Sequence, residues 1–316
     1  MDLFSGLELV LGLSFFLYGM QELSGSLQVV AGKRTERVLA RCTAHPALGL
    51  MTGLAVTMAV QSSSAVTVLL VGLVGGGVMT LRQSLYVLFG ANIGTTLTAW
   101  LLSLTGLESD NFWLQLLKPE HFSALLALAG LVLRHRRKSA GTALLGFAIL
   151  LQGMELMKDA VEPLAVSPTF GRWMVAFRNP FLGVLAGAAV TAVIQSSSAS
   201  VGMLQALAAG GGVTRAMAVP LVLGQNIGTC VTALLSAVGA DGHAKRVALL
   251  HLLINLFGAA ACLALFLVLP KEREPITPVG VAMIHTLFNV TATILLLPFS
   301  KKLLRVAERS YSRLRK

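Results

Sequence analysis

One tetrapeptide occurs twice in this chain, as Gln61-Ser62-Ser63-Ser64 and as Gln195-Ser196-Ser197-Ser198. Each copy is followed by Ala and preceded four residues earlier by Thr, at Thr57 and Thr191. A second matched pair lies downstream, Gly90-Ala91-Asn92-Ile93-Gly94-Thr95-Thr96 and Gly224-Gln225-Asn226-Ile227-Gly228-Thr229-Cys230. Both pairs are offset by 134 residues, and the offset holds without a gap from Pro46/Pro180 to Leu104/Val238, with 25 identities in 59 positions. It reaches back to Gly12/Gly146 and Gly19/Gly153. The chain is therefore an internal duplication, and its function is sought where the two halves agree.

Both motifs sit in apolar, glycine-rich surroundings. Hydrophobic residues make up 55% of the chain and charged residues 12%, with mean hydropathy +0.77. A soluble domain carries about 25% charged residues, so the composition indicates an integral membrane protein. Long apolar runs without alternation indicate helices rather than a β-barrel. Residues 3–21 do not read as a signal peptide, because Asp2 and Glu8 stand where basic residues would be needed and Gly12 and Gly19 belong to the repeat. The net charge of +11 lies between the apolar spans, which points to anionic membrane lipid and not to nucleic acid. Cys42, Cys230 and Cys262 are odd in number and lack paired spacing, so they read as reduced thiols that serve packing.

The first helix is expected over 4–24. A basic amphipathic segment over 26–45 follows, with Lys33, Arg34, Arg37 and Arg41 against Glu36, lying on the membrane surface. The stretch 47–79 is interrupted midway by the first QSSS. Each arm is about 15 residues, roughly 22 Å of helix, against a bilayer core of about 30 Å. A re-entrant hairpin with the serines at its tip is expected, then a helix over 84–104 broken near Asn92–Gly94. The acidic loop 105–120 is placed outside. A short span near 121–133 leads to the basic run Arg134–Lys138, placed inside. The second half repeats the plan: helix 141–157, surface segment 158–179, hairpin 181–213 and broken helix 217–238. Two more helices, 246–269 and 279–299, precede a basic tail.

With the N-terminus outside and the C-terminus cytoplasmic, every strongly basic loop falls inside. The second half then enters from the opposite side. The expected fold is an all-α polytopic membrane protein, an inverted-topology repeat with two re-entrant helical hairpins and two broken transmembrane helices. Its parts are a first repeat (1–138), a second repeat plus two helices (139–300) and the tail (301–316).

Non-helical backbone at membrane depth is tolerated only where it is buried in protein or lines a cavity. A Gln and three Ser at a hairpin tip supply hydroxyls, an amide and helix N-terminal N–H groups, an anion site without formal charge. Ser62, Ser63, Ser64, Ser196, Ser197 and Ser198, with Asn92 and Asn226, are the expected anion ligands. Gln61, Gln195, Thr57, Thr191, Thr95, Thr98, Thr229 and Thr232 offer neutral oxygens that suit a small hard cation such as sodium. Neither motif holds a carboxylate, which disfavours a divalent metal. Ser, Thr and Gly in membrane helices also serve close packing, but four motifs at one offset favour a site. His251-x3-Asn255 and His285-x3-Asn289 each place two polar groups on one helical face and are expected to make interhelical hydrogen bonds. Glu22 and Glu155 are expected near helix ends in solvated or snorkelling positions.

The duplicated QSSSA with a trailing GxNIGT resembles the sodium-phosphate cotransporter family, the type II phosphate carriers and their bacterial relatives. The resemblance spans residues 4–300. It implies that the QSSS regions form the substrate pathway and help bind sodium, and that the cargo is inorganic phosphate. Many bacterial relatives add a regulatory helical domain after the membrane part, which this chain, ending at Lys316, is expected to lack. Cys230 stands where the first copy has Thr96, so the half-sites differ chemically. The expected activity is sodium-coupled phosphate transport across a bacterial cytoplasmic membrane by alternating access. It involves no covalent chemistry and no cofactor beyond the coupling ion, and a homodimer is among the assemblies considered. An anion channel and a sodium-independent phosphate exporter are the alternatives. A serine nucleophile is disfavoured, since neither hairpin carries a His, Lys or carboxylate to activate it.

Overall fold

The computed structural model describes residues 3–41, 45–103, 119–165, 179–238, 240–268 and 274–313. Most of the predicted outer loop 105–120 and much of the segment 158–179 fall outside these residues. The described chain is helical, with one isolated bridge between Thr214 and Pro275. Five stretches are long and apolar enough to cross a membrane: Leu81–Leu102, Lys138–Met157, Arg215–Ser236, Gly242–Val268 and Pro278–Ser310. The molecule is a multi-pass all-helical membrane protein.

Helix α1 runs unbroken over Leu3–Arg41. The predicted surface segment is therefore not a separate element. Residues 26–41 contain no proline, and Leu, Arg, Lys and Glu among them are good helix formers. Near the end of α1, Leu39 is fully buried in a core that also holds Val56, Leu70, Leu88, Leu250 and Leu303. The predicted short span is a longer helix, α6, over Pro119–Arg136. Helix α7 spans Lys138–Ala165, so it too outruns its predicted end. Glu155 consequently lies inside a helix, 7% exposed, rather than in a solvated position, while Glu22 is half-buried.

α1 and α7 cross antiparallel through paired glycines. A Cβ on Gly12 would lie 2.9 Å from the Gly153 carbonyl, and one on Gly19 would lie 2.5 Å from the Gly146 carbonyl. In the 134-residue offset, each of these contacts is the other with the halves exchanged. Glycine costs a helix about 1 kcal/mol relative to Ala. Here its missing side chain lets two backbones touch, which is how helices associate where lipid removes the hydrophobic drive.

The next elements come in matched sets: α2 (Pro46–Val60) with α8 (Pro180–Ile194), α3 (Ser63–Gly75) with α9 (Ser197–Ala209), α4 (Leu81–Gly94) with α10 (Arg215–Gly228), and α5 (Thr96–Leu102) with α11 (Cys230–Ser236). α2 packs along α4 and α8 along α10. Gly53, Gly90 and Gly94 sit in the first crossing, and Gly187, Gly224 and Gly228 in the second. The predicted break in α4 falls after Gly94 and is a bend rather than an unwound stretch. Thr95 keeps right-handed helical angles, and its N–H still reaches the Ala91 carbonyl at 3.0 Å. The Thr96 hydroxyl bonds back to the Ile93 carbonyl at 2.7 Å, a contact that bends helices.

α12 (Gly242–Val268) and α13 (Pro278–Leu296) close the bundle against the bent helices. A short 3₁₀ turn, Leu297–Phe299, then leads into α14 (Ser300–Arg313). The basic tail is thus an amphipathic helix. Leu303 and Ala307 are buried, while Lys301, Lys302, Arg305 and Arg309 are exposed.

Candidate functional site

Gln61 ends α2 and Gln195 ends α8, both in the left-handed region at φ 57° and 59°. They are the only non-glycine residues with positive φ among the described residues. A left-handed non-glycine residue costs roughly 1–2 kcal/mol, and such strain concentrates where a site over-determines the backbone. The turn lasts two residues. Ser62 and Ser196 then cap the next helix, their hydroxyl oxygens accepting from the Ala65 and Ala199 N–H groups, each at 3.2 Å. A capping hydroxyl uses its oxygen and keeps its proton to donate.

The following serines open α3 and α9. Ser63 and Ser197 are 5% and 4% exposed, and no hydrogen bond among the described residues engages either hydroxyl. The first N–H groups of a helix lack an intrahelical acceptor and carry its positive end. Each tip therefore gathers a free hydroxyl and helix N-terminal N–H groups.

The two tips meet. The Ser64 hydroxyl donates to the Gln195 carbonyl at 3.4 Å. Ser198 lies 3.4 Å from the Thr95 hydroxyl of the opposite half. Thr98 donates to the Gln61 side-chain carbonyl at 2.7 Å, and Thr232 to the Gln195 backbone carbonyl at 3.3 Å. Thr57 and Thr191 lie one turn before the tips, packed against Gly94 and Gly228. Both are 0% exposed, and neither hydroxyl has a protein partner. A buried polar group left unpaired costs about 1–3 kcal/mol, and one such hydroxyl stands at the matched position of each half.

The asparagines diverge. The Asn92 amide donates to Asn255 Oδ1 on α12 at 3.2 Å, the interhelical bond expected of the His-x3-Asn face. The Asn226 amide instead donates within its own helix to Val222 at 3.0 Å. Thr229 likewise turns inward, to the Gln225 carbonyl at 3.0 Å. The sites thus join most predicted residues around the tips, with Asn226 and Thr229 engaged locally.

Sequence reasoning missed Gln225, buried at 4% exposure, whose amide holds the Ser200 carbonyl at 2.9 Å. It also missed Gln205, fully buried, which donates to Ala99 and Pro278 at 2.8 and 3.0 Å. Their mates in the first half are Ala91 and Val71, so the repeat gave no signal; intramembrane amides were the available clue.

The halves are also unequal in exposure. Gln61 is 8% exposed, whereas Gln195 is open to the surface. Val56 is 8% exposed, whereas its mate Val190 is 42% exposed.

Comparison with known proteins agrees with this duplicated arrangement. The model of the Na+/Pi-cotransporter family matches the chain twice, over residues 15–159 and 149–288. The uncharacterized protein YqeW of Bacillus subtilis is 30% identical over 298 residues, 92% of this chain and 94% of that protein. YjbB of Escherichia coli, named as a candidate inorganic phosphate export protein, is 28% identical over 93% of this chain; the match takes in 53% of YjbB, so the chain spans about half its length. Human sodium-dependent phosphate transport protein 2B is 38% identical over 101 residues, 31% of this chain and 15% of that protein. No solved structure matches the chain. With both halves matched by the family model, this chain belongs to the Na+/Pi-cotransporter family.

Proposed function

We propose that the chain is a sodium-coupled transporter of inorganic phosphate in a bacterial cytoplasmic membrane. The observation that carries this reading is the meeting of two identical tips. Each brings a buried serine at a helix N-terminus whose hydroxyl no described residue engages, and the Ser64–Gln195 contact joins the two. An oxyanion fits such donors without a counter-charge from the protein. Ser62 and Ser63 donate from one side and Ser196, Ser197 and Ser198 from the other, Ser64 joining them once it releases the Gln195 carbonyl, with Asn92 and Asn226 behind them. Sodium is held by Thr57 and Thr191, by the Gln61 and Gln195 oxygens, and by Thr95, Thr98, Thr229 and Thr232. A bound cation offsets the cost of bringing a phosphate di-anion into a poorly solvated site. Each ligand then tightens the other, and the coupling is reciprocal.

Phosphate affinity of the purified protein is expected to rise with sodium, and sodium affinity to rise by the same factor with phosphate. Isothermal titration in sodium against potassium measures both. Equal phosphate affinity in the two salts would remove sodium coupling. In that event the second reading, a sodium-independent exporter like the one YjbB's name describes, takes its place.

Alternating access follows from an inverted repeat, which the antiparallel glycine crossing of α1 and α7 supports. The repeats are 1–138 and 139–300. The N-terminus lies outside and the basic helix α14 rests on anionic lipid at the cytoplasmic face. A cysteine replacing Asp110 is then expected to react with an impermeant maleimide in intact cells, and one replacing Arg137 only after permeabilisation. The opposite pattern would reverse the orientation.

A further inference from the structure

α12 and α13 carry a second duplication, on a different offset from the first. Residues 247–255 and 281–289 share the pattern Val-Ala-x-x-His-x-Leu-x-Asn, five identities in nine positions at an offset of 34. The structure treats the two helices as mates. α12 packs on α3, α4, α10 and α11, and α13 packs on α9, α10, α4 and α5. Exchanging α3 with α9, α4 with α10 and α5 with α11 turns one set into the other. The two helices cross at mates as well: a Cβ on Gly258 would lie 2.8 Å from the Ala292 Cβ, and 258 and 292 differ by the same 34.

The local chemistry is repeated too. The Asn255 amide donates to the His251 carbonyl at 3.0 Å, and the Asn289 amide to the His285 carbonyl at 2.9 Å. All four residues are at most 2% exposed. Their outward bonds differ. Asn255 Oδ1 accepts the Asn92 amide across to α4. Asn289 Oδ1 is buried with no partner, and the Asn226 amide that would match Asn92 is spent on its own helix. One bond of a matched pair is made, and the counterpart groups of the other are unjoined. The same half that makes the bond is the one with the buried Gln61.

We propose that Asn255 and Asn289 are positioning residues for the two NIGT half-sites, alternately engaged: Asn255 holds Asn92 in this state, and Asn289 takes up Asn226 in the opposite state of the transport cycle. The proposal rests on the transport reading above. It explains the orphan Asn289 oxygen, since a buried acceptor without a partner is costly unless another state supplies one. It also explains why the motif is duplicated on helices outside the main repeat. Neither asparagine is asked to touch phosphate.

The test compares Asn255→Ala with Asn289→Ala in reconstituted protein. In this structure Asn289 holds only a carbonyl of its own helix. A purely structural role therefore predicts wild-type behaviour for Asn289→Ala. The proposal expects its phosphate affinity, measured by equilibrium binding to the resting protein, to stay within about twofold of wild type. Its turnover is expected to fall at least about tenfold, as for a residue that acts in the other state. Wild-type turnover in Asn289→Ala would overturn the proposal. A second arm reads the distance between the paired helices and uses a background with Cys42→Ser, Cys230→Thr and Cys262→Ala. There, Asn92→Cys with Asn255→Cys is expected to be bridged by mercuric ion at rest. Asn226→Cys with Asn289→Cys is expected to be bridged only when phosphate and sodium are supplied together or when the protein turns over. No bridging of the second pair under any of these conditions would overturn the exchange. If wild-type protein binds no phosphate, the transport reading falls by itself; if it binds phosphate normally while Asn289→Ala keeps wild-type turnover, the exchange alone falls.

Discussion

Ser63→Ala and Ser197→Ala should each cost phosphate binding about 10- to 150-fold while leaving the fold intact. Both serines sit, buried, at the first position of a helix, and no described residue engages either hydroxyl. A hydrogen bond to a charged group contributes about 1.5–3 kcal/mol, and 1.4 kcal/mol is tenfold in affinity. Neither residue caps its helix, since Ser62 and Ser196 do that, so thermal stability should hardly move. Two groups bound to one ligand couple, so the double variant should lose less than the sum of the singles. Equilibrium binding of labelled phosphate to purified variants reads all three. Strictly additive losses would separate the tips into independent sites. If Ser63→Ala binds normally and Ser197→Ala does not, the first copy is structural.

Gly90→Ala and Gly224→Ala should fail in the opposite way, losing the fold before the chemistry is reached. A Cβ at Gly90 would lie 1.9 Å from the Leu50 carbonyl oxygen, and one at Gly224 would lie 2.0 Å from that of Val184. The neighbour in each case is backbone, so the helices must separate. Overpacking of this kind costs about 3 kcal/mol or more. The loss arrives although Ala favours a helix over Gly by about 1 kcal/mol. Gly72→Ala is the matched control, because nothing lies within 4 Å of its added Cβ. Thermal unfolding in detergent should show both crossing variants sharply lowered, or absent from the membrane, and Gly72→Ala unchanged or raised. Stable Gly90→Ala protein would mean that α2 and α4 are not in backbone contact.

The legible part of this molecule was the part written twice. The offset between Gln61–Ser64 and Gln195–Ser198 placed both turns, and the structure ends a helix at each Gln and begins one after each capping Ser. Gly12, Gly19, Gly146 and Gly153 were legible as members of the repeat, but the close crossings they make were not. Ends of elements were not legible. Basic residues in 26–41 signalled a membrane face, but the same residues are good helix formers, and tertiary contact at Leu39 drew α1 onward. The left-handed turn at Gln61 was hidden as well, because Gln is not a residue that ordinarily supplies it.

Asymmetry was the least legible feature. Two nearly identical motifs predict two equivalent half-sites. The structure instead buries Gln61 and exposes Gln195, and joins Asn92 to Asn255 while Asn226 turns back on α10. Under the alternating-access reading proposed above, each half takes each role in turn, so similar sequences occupy two environments. Only coordinates reveal which half holds which role.

The central claim is coupled phosphate transport through the paired tips. Proteoliposomes containing the purified protein, given labelled phosphate with an inward sodium gradient, test it most directly. Uptake should saturate with phosphate and overshoot its equilibrium level transiently. It should collapse to the level of empty liposomes when potassium replaces sodium or when Ser63 and Ser197 are both alanine. Uptake that is unsaturable, indifferent to the sodium gradient, or intact in the double variant would contradict the account.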